Sequence, residues 1–74
     1  MSATIRPIGM LKSYLAGQSE VAVEPGRTIR ETLEALGIPS AVVAGALLDD
    51  VLQSKDYCIR EGDVIKLIAV IGGG

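Results

Sequence analysis

Polar and apolar positions alternate over Glu20-Val21-Ala22-Val23-Glu24, then change period to give Ile29, Leu33 and Leu36. Alternation with period two places every second side chain on one sheet face, whereas spacings of three and four gather side chains into one helical stripe. The pattern predicts a strand followed by a short amphipathic helix. Both helix ends are marked. Thr28 with Glu31 three residues on forms a capping box, each side chain satisfying a backbone donor of the other, while Gly37 and Pro39 stop the helix. Upstream, Thr4 to Ile8 reads as a first strand, with Pro7 confined to an edge, an end or a bulge because it has no N–H to donate. Met10, Leu11, Tyr14 and Leu15 suit one or two helical turns ended by Gly17, and Pro25-Gly26 breaks the second strand.

Beyond the helix, Ala41-Val42-Val43-Ala44 reads as a strand, Gly45 as near a turn, and Leu47-Leu48 as a returning segment. Asp49 to Asp56 is a polar, loop-rich stretch holding Val51 and Leu52. Arg60-Glu61-Gly62-Asp63 is a turn with positive φ expected at Gly62, and the apolar run from Val64 to Ile71 follows as the last strand. One helix laid across a small mixed sheet is the economical arrangement for this order. That is an α+β β-grasp, the ubiquitin-like architecture, in which the first and last strands lie side by side at the sheet centre. A central position accounts for a last strand that is apolar on both faces. The expected organisation is one β-grasp domain over 1–71 and a flexible glycine tail over 72–74.

Composition narrows the chemistry. The 74 residues contain one cysteine, Cys58, and no histidine, so no intramolecular disulfide, Cys/His zinc site or iron–sulfur cluster can be built. A chain this small must then be held by aliphatic packing, and 49% of it is hydrophobic with no Phe or Trp. Net charge is −2 and the cations are scattered along the sequence without aromatic platforms, which argues against nucleic-acid binding. No apolar run approaches the ~20 residues that span a bilayer. The first residues lack the apolar core of a signal peptide, so a cytoplasmic protein with no membrane partner is expected.

The succession Ile59, Gly62-Asp63-Val64-Ile65, the apolar strand and a glycine end, preceded by Glu24-Pro25-Gly26 and Thr28, resembles the ubiquitin-like sulfur carriers. These comprise the small subunit of molybdopterin synthase (MoaD) and the thiamine-pathway carrier (ThiS). The insertion from Met10 to Gly17 is similar to the molybdopterin synthase subunit; the ending Val70-Ile71-Gly72-Gly73-Gly74 resembles the triple-glycine end of thiamine carriers. The prolines common before the molybdopterin-type terminus are missing, and Ala44-Gly45 stands where the family often has asparagine-glycine. The pathway is open on these residues.

The resemblance implies that a ubiquitin-activating-type adenylyltransferase spends ATP to adenylate the terminal glycine. A sulfur donor then converts the adenylate to a thiocarboxylate. Gly74 would carry the sulfur, and Gly72 and Gly73 would thread a narrow channel of the partner. The acceptor would be the large subunit of molybdopterin synthase or a thiazole synthase. The chain itself would bind no cofactor tightly and would contribute no catalytic residue. Activation is needed because a carboxylate with a pKa near ~3.5 is ionised and a poor electrophile. A modifier conjugated through Gly74, or a non-covalent module with an inert tail, are the alternatives.

Cys58, between Tyr57 and Ile59, suits a small buried hydrophobe better than a thioester or persulfide site. Asp49-Asp50 suits a solvated turn better than a metal site, and no metal is expected. In the last strand Ile65, Leu67 and Ala69 share one face while Val64, Lys66, Ile68 and Val70 share the other. Lysine avoids burial, so Lys66 marks the face turned from the helix. Lys66, Ile68, Val70 and Ile71 then form a candidate partner-docking patch beside the tail.

Overall fold

The computed structural model describes residues 2–70. Five strands are present: β1 (Ala3–Pro7), β2 (Val21–Val23), β3 (Val43–Leu48), β4 (Val51–Gln53) and β5 (Val64–Ala69). They form one sheet in the order β2-β1-β5-β3-β4. β1 and β5 are parallel neighbours, whereas β1–β2, β3–β5 and β3–β4 are antiparallel. One α-helix, α1 (Ile29–Leu36), crosses the sheet, and two 3-10 segments, Gly9–Leu15 and Ser40–Val42, complete the connections. This mixed sheet with one main helix is the β-grasp.

Local chemistry sets the helix ends. Glu31 N–H donates to the Thr28 hydroxyl at 3.1 Å and Thr28 N–H donates to Glu31 Oε1 at 2.9 Å, completing the capping box. Gly37 closes the other end at φ 77, where its N–H reaches the carbonyls of Leu33 and Glu34. The stripe of α1 faces the sheet: Ile29 and Leu33 are fully buried and Leu36 partly so. They join Ile5, Leu11, Ile38, Ile59, Ile65 and Leu67 in one aliphatic core.

Three readings change. The segment Ala41-Val42 lies in a 3-10 turn, and β3 begins at Val43 and continues through Gly45. A bulge between Val43 and Gly45 absorbs one residue, so glycine here marks an irregularity inside a strand and not a turn. The hairpin lies later, at Asp49 and Asp50, whose φ values of 52 and 65 suit a mirror-image two-residue turn; Leu48 and Val51 pair on either side of it. Val51 and Leu52 therefore belong to the edge strand β4, not to a loop. Cys58 is exposed: residues 57–59 run extended beside Thr28, Ile59 points into the core, and alternation turns Cys58 outward. β5 is central, as expected, and its two faces differ as the alternation predicts: Ile65 and Leu67 are buried, whereas Lys66 and Ile68 are half-buried and Val64 is 45% exposed on the face that no helix covers among the described residues.

Candidate functional site

The turn before β5 fixes where that strand starts. Gly62 takes φ 83, and its N–H donates to the carbonyl of Ser2 at 3.1 Å. Asp63 Oδ2 accepts from Arg60 N–H at 2.9 Å and from the Tyr57 hydroxyl at 2.7 Å. That hydroxyl donation holds the Tyr57 phenol above its ordinary pKa, since ionisation would remove the donor and set an anion beside a carboxylate. The carbonyl of Asp63 then accepts from Thr4 N–H at 2.8 Å, locking the start of β5 to β1. The Gly-Asp pair thus sets the register in which Thr4, Ile5, Arg6 and Pro7 meet Val64, Ile65, Lys66 and Leu67.

From that start β5 carries the chain to Val70. Val70 lies just past the strand, 45% exposed, with its N–H donating to the carbonyl of Val42 at 3.0 Å. Lys66 and Ile68 lie on the open sheet face, as the burial of Ile65 and Leu67 requires. Lys66 is in register with Leu47, and Ile68 with Gly45. Leu47 pairs with Leu52 of β4, which is 67% exposed. Ile68, Leu47, Leu52 and Val64 thus make an apolar stripe across the open face. Ile71, Gly72, Gly73 and Gly74, together with the expected tail over 72–74, lie outside the described residues.

Gly45 was missed as a member of this face. A Cβ there would meet Cδ1 of Leu52 at 2.9 Å, so the leucine lies over the glycine. The sequence signal was available in principle, since a lone glycine in a strand often marks a close approach. Asp49 and Asp50 are both exposed, and no cluster of three or more metal-ligating side chains exists among the described residues. No helix among those residues is long and apolar enough to cross a membrane.

The family model for the ThiS family matches residues 10–74, nearly the whole chain and including the glycine end. The chain belongs to the ThiS family. Two relatives from Thermus thermophilus agree. The sulfur carrier protein ThiS is 35% identical over 52 residues, covering 66% of this chain and 81% of the relative. The sulfur carrier protein TtuB is 33% identical over 60 residues, covering 81% of this chain and 91% of the relative. The crystal structure of SAMP1 from Haloferax volcanii superposes with a TM-score of 0.68 over 100% of both chains at 20% identity, a likeness of fold.

Proposed function

We propose that this ThiS-family chain is a sulfur carrier whose Gly74 is adenylated at the expense of ATP by a ubiquitin-activating-type adenylyltransferase and converted to a thiocarboxylate. The observation that carries the reading is the reach of the family match through Gly74, directly after a strand pinned at both ends. Glycine has no Cβ, so Gly72 and Gly73 can pass a channel that would exclude other residues. A sulfur donor supplies the sulfur. The acceptor is a thiazole synthase or the large subunit of molybdopterin synthase, with the activating and accepting chemistry residing on those partners.

Lys66, Ile68 and Val70, with Ile71 beyond them, form the docking patch in this reading. Exposed aliphatic side chains gathered on one sheet face are what a partner surface covers. The test is intact-mass spectrometry of the protein purified from its own host. A gain equal to the difference between one sulfur and one oxygen, mapped to the C-terminal peptide, is expected. A large covalent protein adduct at Gly74 would instead identify a modifier, and an unaltered mass under sulfur-replete growth would overturn both covalent roles.

Ile68→Asp checks the patch. Ile68 is half-buried on the open face, so the variant should keep cooperative unfolding while binding to the adenylyltransferase falls at least tenfold. Loss of cooperative unfolding would place Ile68 in the core.

A further inference from the structure

Three of the seven cations in this acidic chain converge on one recess. Arg6 on β1, Lys66 on β5 and Lys12 on the 3-10 segment line a cavity of about 290 Å³ with Gly9 and Ser19, and no carboxylate lines it. Arg6 and Lys66 are direct cross-strand partners, and both point to the open face because Ile5, Pro7, Ile65 and Leu67 point to the core. Like charges directly opposite one another destabilise a sheet. Glu20 offsets Arg6 at 3.5 Å, but that pair is largely exposed, and no ion pair holds Lys12 or Lys66 among the described residues. The compensation is partial, from Glu20 at Arg6 and from Asp49 and Asp50, which share a separate recess with Lys66, and a local rule of sheet composition left broken in this way is the pattern of a functional surface.

We propose that this recess receives a carboxylate-bearing segment of the protein that docks on the apolar stripe, so that the open face reads its partner by an apolar centre and an acidic rim. The inference rests on the reading of that face as the docking surface and adds the partner's chemistry. Lys66 belongs to both parts: along β5 it lies between Val64 and Ile68, and across the sheet between Leu47 on β3 and Arg6 on β1. Apolar core flanked by charged rim is the anatomy of a protein interface. A small free anion fits less well, because Arg6 and Lys12 are exposed and Lys66 is only half-buried, so water would compete; a docking protein excludes that water itself. Charges at such a rim act chiefly on association rate and salt dependence.

The experiment compares the wild type, K12E/K66E and the control R27E/R60E, which makes the same charge change away from the recess. ATP–pyrophosphate exchange is followed with the adenylyltransferase of the same host at low and high salt. The expected result is a KM for the carrier raised at least tenfold in K12E/K66E with kcat unchanged, loss of its salt dependence, and less than a twofold change in the control. Equal effects in both double variants, or no effect in either, would overturn the proposal. A wild type that supports no exchange would overturn the carrier reading instead. The recess is then judged by amide NMR titration with hexaglutamate: shifts centred on Arg6, Gly9, Lys12 and Lys66 and abolished in K12E/K66E support it, and uniform or missing shifts refute it. A dimer in which Asp49 and Asp50 of a second copy fill the recess, detected by sedimentation, would also refute it.

Discussion

Glu31 shows how one side chain ties helix geometry to pH. Its carboxylate accepts from the Thr28 N–H and from the Thr28 hydroxyl, and these bonds hold its pKa below the ordinary glutamate value. A carboxyl whose folded pKa is depressed stabilises the fold fully above its unfolded pKa of about 4.3 and loses that contribution as pH falls through the folded value. Gln at this position keeps the capping geometry without a titrating charge. The wild type should therefore be more stable than Glu31→Gln near neutral pH, with the advantage vanishing in acid; melts at a series of pH values check this, and a constant difference would disprove it. Thr32, one residue on, is 3% exposed and its hydroxyl has no hydrogen-bond partner among the described residues. A buried unsatisfied polar group costs about 1–3 kcal/mol, so Thr32→Val, which keeps the branched shape, should raise stability by about 1 kcal/mol. A lower urea midpoint would mean that a water satisfies that hydroxyl.

Elements were legible in the sequence where their signals are local. The capping box, the stripe of α1 and Gly37 all lie within ten residues of one another, and each forms as its side chains dictate. Leu33 is fully buried in the middle of that stripe, so Leu33→Ala should destabilise the domain by about 2–5 kcal/mol, a large share of what so small a fold possesses. An unchanged urea midpoint would remove the stripe from the core. Long-range pairing hid the rest. Gly45 looks like a turn until β5 and Leu52 are seen to lie against it, and the real turn uses two aspartates at positive φ where glycine or asparagine gives the stronger signal. The exposure of Cys58 depends on the bridge to Thr28, thirty residues earlier. On the open face, Lys66 and Ile68 could be placed by alternation alone. Arg6 and Lys12 could not be joined to them, because that needs the parallel β1–β5 register and the 3-10 connection.

At the scale of the molecule, the proposed chemistry depends on where β5 delivers the chain. β5 is held by β1 on one side and β3 on the other, and Val70 is bonded to Val42, so the last described residue has a defined position on the domain. The reaction proposed for Gly74 needs a carboxylate oxygen placed in line with the ATP α-phosphorus in the partner's site, where a new O–P bond forms as pyrophosphate leaves, and the distance from Val70 to that carboxylate is set by residue count. Deleting Gly73-Gly74 withdraws the terminal carboxylate by up to ~7 Å. A misplacement of about 1 Å can cost on the order of a hundredfold in rate. The truncated protein should therefore lose adenylation and sulfur transfer. Its melting temperature should hardly change, because glycines have no side chain to bury. Adding one residue after Gly74 should be nearly as damaging, since the reacting carboxylate would belong to a residue with a Cβ or to a chain one unit too long. Pyrophosphate exchange with the activating enzyme, measured beside thermal unfolding, separates the two effects. If the truncated chain still exchanges pyrophosphate at the wild-type rate, the glycine end is inert and the reacting group lies elsewhere.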